Sequence, residues 1–386
     1  MPTHFHQTLS LPPSGYLKEV RLFPLRVEKP RNRTFIRDFD VSKIASHADE
    51  AQAIVHKALV WDNVWPVDLI GLDSYDNGWE KLDRFAQAGV NALGVTLAGD
   101  NHTISEAIKL LAWARAKILA HADKYVLAES VNDILAAKRA DKLAVCFQFE
   151  GMRCFERNLD MIGVYRKLGV MQTILAFNNS NSIGGGCAEE NDCGLTNLGR
   201  TFVDKLQEGG ILIDLSHVGR RTSLEAMERA TKPMAFTHSN ANAVHASFRN
   251  VTDEQIKAVA GIGGLVGVSG SSEYLGDPDC RSETLFQHID HTVQLVGPEH
   301  AGIGFDVVYD PTLLNDWART RPEEWPMTKD PNWPGFNYAA PEQIVEIVAL
   351  MLNAGYGVEA ITNILGKNYI RIFERATEPS YPHDKT

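Results

Sequence analysis

The segment ILIDLSHVGRRTSLEAMERATKPMAFTHS, residues 211–239, decides the fold of this chain. It contains two short apolar runs that end in polar side chains, and the helical pattern TSLEAMERAT lies between them. Strands that alternate with helices build a parallel sheet, since each helix carries the chain back to the start of the next strand. The segment therefore predicts one strand–helix–strand unit, with His217 and His238 at the ends of its two strands.

The same alternation extends in both directions along the chain. Eight apolar runs predict strands at 58–62, 92–97, 143–150, 171–177, 211–217, 234–239, 264–270 and 301–306. Helical patterns separate these runs, and several end in glycine, a common C-terminal stop. Eight units over ~250 residues predict an α/β fold of the closed (β/α)8 TIM-barrel type. The alternative is a doubly wound open sheet, but no GxGxxG or P-loop motif follows the first strand to support it.

The flanking segments complete the predicted domain organisation. Residues 1–40 are polar and proline-bearing, and we expect residues 1–45 to form an N-terminal arm that packs on a barrel formed by residues 46–386. A long, proline-rich loop at 307–340 follows the eighth strand, on the face where such barrels carry their active sites. It carries Trp317, Trp325 and Trp333. We interpret it as a lid or substrate wall, with an oligomer contact as the alternative, and expect helices after it to close the barrel.

Composition excludes several classes of protein. The 386 residues are 44% hydrophobic and 23% charged, which is typical of a globular protein. The net charge of −11 argues against a nucleic-acid partner, because phosphate binding needs a basic surface. No run approaches the ~20 apolar residues of a membrane span, and the first residues lack the pattern of a secretion signal. The five cysteines are irregularly spaced, so we expect free thiols and a cytoplasmic location.

Polar side chains at the strand ends are the candidate site. Glu150, His217, His238 and Asp306 close the predicted strands three, five, six and eight. The carboxyl ends of barrel strands meet at one mouth, so these residues are expected to converge there. Taken singly, each has an ordinary structural interpretation, such as a hydrogen-bonded histidine or a helix-capping carboxylate.

Together, the four side chains predict a metal site. Two buried carboxylates close together are unfavourable unless a cation or a proton compensates them. Neutral imidazoles with carboxylates form a usual zinc site, where the metal activates water and polarises a carbonyl. Asp306 is the predicted general base for that water. Arg249, just beyond the sixth strand, suits a substrate carboxylate, although a surface salt bridge explains it equally well.

At these residues the sequence resembles the membrane (renal) dipeptidase family, peptidase family M19. The matching segments are FEG (149–151), GLTNLGRTFVDKLQEGGILIDLSHV (194–218), FTHSNA (236–241), RNVTDEQI (249–256), AGIGFD (301–306) and LGKNYIRIF (365–373). The resemblance covers nearly all of the chain from about residue 50 to residue 375 and implies a (β/α)8 barrel with two zinc ions. It also implies hydrolysis of dipeptides, including those with a C-terminal D-residue, and a homodimer.

The resemblance assigns a role to each candidate residue. It implies that Glu150 bridges two metals, that His217 and His238 bind the second metal, and that Asp306 lies at the first metal and shuttles protons. It also implies that Arg249 binds the substrate's C-terminal carboxylate.

The sequence departs from the family pattern at two strand ends. The family's first strand ends in D-G-H-x-D, but here Val64 and Pro66 occupy the positions of its metal-binding His and second Asp. Asp62 and Asp68 lie nearby and would substitute only in a rebuilt loop. Glu150, His217 and His238 remain as three protein ligands, so we expect one zinc ion per chain, with two as the alternative.

The second departure is Phe177, which stands where the family has a histidine that polarises the scissile carbonyl. Loss of one such donor typically costs ~10²–10³ in rate. Asn178, Asn179 or Asn181 could supply a donor instead. Phe177 and Trp65 are expected to make the substrate pocket drier and more aromatic than the family's.

Three functions follow from these observations. The first is a zinc-dependent hydrolase that cleaves a dipeptide or related amide with a free carboxylate. The second is a non-peptidase enzyme on the same reduced site, such as an isomerase, a lyase or an enzyme that tailors a peptide-derived metabolite. The third is a binding protein with a structural metal, which Asp306 and Arg249 argue against because a structural zinc needs neither.

Overall fold

The computed structural model describes residues 46–66 and 81–378. The proposed N-terminal arm, residues 1–45, and Asp68 lie outside the described residues. All five cysteines are free thiols, as predicted. Among the helices in the described ranges, none has the length and apolar character that a membrane crossing requires.

A parallel sheet forms the centre of the molecule. Its strands are β1 (Trp61–Pro66), β2 (Ala92–Gly99), β3 (Tyr125–Leu127), β4 (Leu143–Glu150), β5 (Val170–Ile174), β6 (Leu212–Asp214), β7 (Ala235–Phe236), β8 (Leu265–Val268) and β9 (Ala301–Ile303). Consecutive pairings run from β2 through β1 and β9 down to β4, and β4 pairs again with β2. Eight strands therefore close on themselves, which confirms the predicted barrel.

The ninth strand, β3, is an addition that the sequence did not predict. Its three residues pair with the first three residues of β4, whereas β5 pairs with β4 further along, from Phe147 to Phe149. A three-residue run such as YVL is too short to show a strand periodicity. The helix Val131–Arg139 that follows β3 was also missed.

Helices precede, connect and follow the strands. They are α1 (Ala48–Lys57), α2 (Leu82–Gln87), α3 (Ile104–Ala120), α4 (Val131–Arg139), α5 (Met161–Lys167), α6 (Asn197–Gly209), α7 (Arg220–Glu228), α8 (Asp253–Gly261), α9 (Ser272–Leu275), α10 (Ser282–Val296), α11 (Thr312–Arg319), α12 (Gln343–Asn353), α13 (Val358–Thr362) and α14 (Asn368–Ala376). The predicted C-terminal helices are thus present as α12 to α14, with a π-helical turn at Asn363–Lys367 before α14.

Local chemistry fixes where several helices begin. α3 starts with a capping box, in which Thr103 accepts from the backbone N–H of Glu106 and the Glu106 carboxylate accepts in return. α8 begins in the same way with Thr252 and Gln255. Such caps satisfy backbone donors that a helix start leaves unpaired. The α8 cap ends the loop that carries Arg249, and so it fixes one side of the barrel mouth.

The interior of the barrel is apolar at the amino ends of the strands and polar towards the carboxyl ends. Trp61 of β1 stacks on Phe373 of α14 with ring centroids 4.6 Å apart, so α14 packs against that apolar end. Higher in the barrel, Asn63 donates to Gln172, which in turn donates to Asp214. This buried polar layer lies directly beneath the strand ends and supports the side chains above it.

The segment after β9, predicted as a long loop, contains helical structure. It contains α11 and a 3-10 turn at Pro326–Lys329. Its aromatic side chains form a separate small cluster with Tyr274 and Phe177. We call the segment 307–340 the lid.

Candidate metal centre

Four strand ends bring the predicted metal-binding residues together. Glu150 is the last residue of β4, while His217, His238 and Asp306 lie two or three residues beyond the ends of β6, β7 and β9. One ligand atom from each of Glu150, His238 and Asp306 lies within 4.8 Å of the other two. The Nε2 atoms of His217 and His238 are 2.9 Å apart. The convergence predicted from the sequence is therefore present in the structure.

Hydrogen bonds on the far side of each imidazole set its tautomer. The Nδ1 atom of His217 lies 2.7 Å from the Oδ1 atom of Asn178, an acceptor, so Nδ1 donates. The Nδ1 atom of His238 lies 3.0 Å from the hydroxyl of Thr237, which itself donates to Asp214 and is left to accept. With both protons on Nδ1, the two Nε2 lone pairs face each other, which is unfavourable unless a cation binds both nitrogens or a proton lies between them.

The carboxylates of the site lie in a low-dielectric environment. Burial raises the pKa of Glu150 to about 7, opposed by a hydrogen bond from Thr96. Burial and the negative charge of Glu150 raise the pKa of Asp306 well above its usual value. Burial, together with the positive charge of Arg249, lowers the pKa of both histidines well below the usual value.

This set of donors fits a divalent metal ion. Two neutral imidazole nitrogens and two carboxylates offer the mixed nitrogen and oxygen ligands that zinc prefers in proteins. A cation would also remove the unfavourable proximity of the two acids and of the two lone pairs.

The first strand contributes differently from the four strands that carry the candidate metal ligands. Asp62 Oδ1 accepts from the backbone N–H of Phe305, and its Oδ2 has no hydrogen-bond partner among the described residues. Burial raises the pKa of Asp62 to about 7. Val64 contributes through its backbone, whose carbonyl accepts from the N–H of Asp306 at 3.1 Å. This strand thus holds a carboxylate and the Asp306 backbone in place, while Val64 and Pro66 offer no ligand side chain.

Phe177 lies at the mouth, as predicted. Its ring stacks on the imidazole of His217 with centroids 4.2 Å apart and an interplanar angle of 22°. The edge of the lid residue Trp325 meets the same ring at 5.8 Å. The wall next to His217 is therefore aromatic, and the lid contacts it directly.

Trp65 does not lie at the mouth, contrary to the prediction. The register of β1 against β2 shifts between Asp62 and Trp65. As a result Trp65 packs against Phe85 of the outer helix α2, with ring centroids 5.9 Å apart. The structure assigns this side chain to the hydrophobic core, because a bulge in the strand changed the face on which it emerges.

Asn178 occupies a different position from the expected substrate contact. It is fully buried, and its Oδ1 accepts from His217 and from the thiol of Cys187. Its Nδ2 atom has no acceptor among the described residues. The primary role of Asn178 is therefore to orient an imidazole of the site.

Arg249 is buried beside the site, with only 2% of its surface exposed. Its guanidinium donates to the hydroxyl of Ser239 and to the backbone carbonyl of His238, both at 2.7 Å, and its charge lies over the ring of Tyr274. No carboxylate among the described residues pairs with it, and its Nε atom has no acceptor there. The salt-bridge interpretation is therefore wrong, and the cation is available to a ligand.

Three site residues have backbone angles that L-residues rarely adopt. His217, Asp306 and Asn178 have φ values of 64°, 59° and 54°. Such conformations cost energy and persist where the surrounding structure holds them, often at functional sites. Here they turn the chain sharply after each strand, so that the side chains point towards the barrel axis.

Sequence reasoning missed the residues that support the site. Thr96 donates to Glu150 at 3.0 Å, and Gln148 donates to Thr96 at 2.9 Å. Thr237 and Asp214 form a similar relay behind His238, in which the Thr237 hydroxyl contacts the imidazole and donates to Asp214. A signal for Asp214 was present, since an acidic residue inside the apolar run ILIDL must face a polar partner. No comparable signal marks Thr96.

A cavity of 310 Å³ opens beside the centre. His217, Arg249 and Cys187 line one part of it, and Glu190 and Arg220 line another. Its volume suits a small molecule of a few residues. A candidate metal site, a guanidinium without a carboxylate partner and a polar pocket thus lie next to one another.

Comparison with known proteins adds a family and a fold. Residues 99–317 match the family described as membrane dipeptidase, peptidase family M19. Over 263 residues, 67% of this chain, the sequence is 24% identical to the dipeptidase tcpJ of Claviceps purpurea, and the match spans only 57% of that protein.

Two solved structures share the architecture. An amidohydrolase from Pseudomonas aeruginosa superposes with a TM-score of 0.75 at 22% identity, covering 85% of this chain and 99% of the other. A metallo peptidase from Rhodobacter sphaeroides, solved with a phosphinate mimic of the dipeptide L-Ala-D-Ala, superposes with a TM-score of 0.68 at 18% identity, covering 83% and 99%. At these identities the likeness establishes the barrel fold.

Proposed function

The chain belongs to the membrane dipeptidase family, peptidase family M19, and on that premise we propose that it is a zinc-dependent hydrolase of a dipeptide, or a related amide, that ends in a free carboxylate. The observation that carries the proposal is the pair of facing Nε2 atoms of His217 and His238, 2.9 Å apart, beside the carboxylates of Glu150 and Asp306. A structural polar network would pair these atoms with donors, and this one turns lone pairs and acids towards a common point.

We propose that Glu150, His217, His238 and Asp306 hold one zinc ion per chain. Zinc bound there supplies Lewis-acid polarisation of a carbonyl and activation of water at neutral pH. A single ion is proposed because the side chains of Val64 and Pro66 contain no ligand atom.

Asp306 is the proposed general base. Its carboxylate belongs to the cluster, yet the residue is less buried than Glu150 and His238, so substrate can reach it. In amide hydrolysis water adds to the carbonyl carbon, the C–N bond breaks, and the departing amine gains a proton. A carboxylate in this position can take the proton from water and deliver it to the amine.

Arg249 is the proposed anchor for the substrate carboxylate. Its guanidinium is held in place by Ser239 and the His238 carbonyl, and it retains donors beyond those two bonds. A preorganised guanidinium binds a carboxylate with geometric specificity. Phe177 and Trp325 would exclude water from the other side of the scissile bond.

A dipeptide panel tests the proposal. The full-length chain loaded with zinc is incubated with L,L and L,D dipeptides, and the released amino acids are quantified by mass spectrometry. We expect turnover of at least one dipeptide, lost by roughly 10³-fold or more in Asp306→Asn. Asp310→Asn, which changes an exposed carboxyl four residues away, is the matched control and should retain activity. A zinc-loaded chain that cleaves no member of the panel contradicts the proposal.

A further inference from the structure

A chain of aromatic contacts runs from one imidazole of the site into the lid. Phe177 stacks on His217, and the edge of Trp325 meets Phe177. Trp325 in turn meets Phe336 with ring centroids 5.4 Å apart and an interplanar angle of 77°. One aromatic ring therefore separates the indole of Trp325 from a proposed zinc ligand.

The same chain continues to the other imidazole. Phe336 meets Tyr274 at 6.0 Å, and the guanidinium of Arg249 lies 5.5 Å from the centroid of the Tyr274 ring. Arg249 then donates to the backbone carbonyl of His238. The contacts form a closed collar around the mouth of the barrel, with the two histidines adjacent in it.

Trp325 carries a donor that nothing in the described part of the chain uses. Only 4% of this side chain is exposed, and its Nε1 atom has no hydrogen-bond acceptor. A buried N–H group without an acceptor is destabilising, so the unpaired indole of Trp325 calls for a partner that the described residues do not supply. Phenylalanine would supply an aromatic ring at this position without such a group.

A second tryptophan of the lid shows the contrast. Trp333 belongs to the same aromatic cluster and is buried to a similar degree. Its Nε1 atom donates to the carboxylate of Glu273 at 3.1 Å. A buried indole N–H of the lid can therefore find an acceptor, as that of Trp333 does, whereas the indole N–H of Trp325 has none among the described residues.

The collar holds one further donor of this kind, the buried Nε atom of Arg249. Arg249 and Trp325 are separated along the collar by Tyr274 and Phe336, so the two donors belong to different parts of the mouth. Both need oxygen acceptors, and a dipeptide provides these as a carboxylate and as carbonyl groups.

We propose that Trp325 is a substrate-binding residue, whose indole N–H donates a hydrogen bond to a carbonyl or carboxylate oxygen of the substrate, opposite the group held by Arg249. It thereby selects substrates that carry an oxygen acceptor at that point, while the aromatic collar favours an apolar neighbour. The identity of the substrate in this inference rests on the proposed function. The unpaired indole N–H of Trp325 is an observation that does not depend on it.

Nitrogen-15 NMR of the indole groups tests the proposal directly. The chain has seven tryptophans, and the variants Trp325→Phe and Trp333→Phe each remove and so assign one indole resonance. The zinc-loaded full chain is titrated separately with a phosphinate analogue of L-Ala-D-Ala and with N-acetylglycine. We expect the Trp325 resonance to move downfield and to exchange more slowly with solvent, while the Trp333 resonance stays in place.

Affinity measurements on the same variants provide a second readout. Trp325→Phe should weaken binding of whichever compound shifts the resonance by roughly 10-fold, as for loss of one hydrogen bond to a polar or charged acceptor. Trp333→Phe should change it by less than about twofold. Melting temperatures of both variants show whether the lid remains folded.

The outcomes separate this inference from the proposed function. If neither compound moves the Trp325 resonance, the inference is wrong, even if dipeptides are cleaved. If the resonance responds as expected but no dipeptide is cleaved, the inference stands and the proposed hydrolase activity is wrong.

Discussion

The Nε2 atoms of His217 and His238 face each other at 2.9 Å, and each imidazole has its Nδ1 atom engaged on the opposite side. Neutral imidazoles in these tautomers present two lone pairs to each other, which is unfavourable without a bound cation or a shared proton. The residues that enforce the tautomers, Asn178 and Thr237, are therefore as much a part of the centre as the histidines.

Removing the orienting amide should weaken metal binding. In Asn178→Ala the Nδ1 proton of His217 loses its acceptor, so the imidazole is free to change tautomer and to rotate. Loss of such outer partners typically lowers metal affinity by about 10–100-fold. The measurement is zinc affinity by competition with a chromophoric chelator. Asn179→Ala, at the half-buried neighbour, is the control, and equal affinities for the two variants would show that Asn178 does not orient the ligand.

Arg249 should govern the preference for a free carboxylate. Arg249→Gln removes the charge that we assign to substrate binding, so kcat/KM for a dipeptide should fall by roughly 100-fold. For the same dipeptide with a C-terminal amide, kcat/KM should fall far less in Arg249→Gln, because this substrate has no carboxylate for Arg249 to bind. Steady-state kinetics on the two substrates give the comparison. A similar loss for both would assign Arg249 to holding the His238 loop instead.

Position 177 should limit the rate of hydrolysis. The resemblance to peptidase family M19 places a hydrogen-bonding histidine there, and Phe177 has no donor. Phe177→His should raise kcat for a dipeptide by roughly 10-fold or more, because removing one such hydrogen-bond donor typically lowers kcat by ~10²–10³-fold. Phe177→Leu, which adds no donor, should not raise it. An unchanged or lower kcat in Phe177→His would mean that another group already polarises the carbonyl.

The lid should lose stability as the pH rises, because of Glu324. This residue is 8% exposed, and burial raises its pKa from 4.5 to about 7, with Arg321 opposing the shift. Between these two pH values the unfolded chain has released the proton and the folded chain has kept it. Stability is therefore highest below about pH 4.5 and falls as the pH rises through 7.

Replacing Glu324 with glutamine should remove this dependence. Relative to wild type, Glu324→Gln should gain stability on the order of 2 kcal/mol at pH 8 and much less at pH 4. Urea denaturation of the metal-free protein at the two pH values measures the difference. Glu323→Gln, at an exposed neighbour, should show no such gain. A Glu324→Gln difference that is the same at both pH values would contradict the assignment.

The barrel and the convergence of the candidate metal ligands could be predicted because one physical rule connects them. Parallel strands end at one face, so polar residues at the ends of apolar runs must meet there. Glu150, His217, His238 and Asp306 satisfied that rule, and each lies where it was expected. No knowledge of side-chain contacts was needed for this step.

The supporting residues could not be predicted because they depend on local geometry. A one-residue bulge in β1 turns Trp65 away from the mouth, and nothing in the sequence of β1 indicates this bulge. Asn178 became an orienting residue because its backbone adopts φ 54°, which turns the amide towards His217. The proposed role of Trp325 depends on which atoms surround its indole nitrogen, and these contacts in space cannot be predicted from the sequence.

A zinc titration of the metal-free chain by calorimetry tests the proposed centre most directly. We predict one tightly bound zinc ion per chain, lost in both His217→Ala and His238→Ala, since the two imidazoles bind one ion between them. His300→Ala, which changes a histidine bonded to the Gly264 carbonyl, should keep it. Absence of tight binding in the wild type, two tightly bound ions, or one ion that survives His217→Ala would contradict the assigned centre.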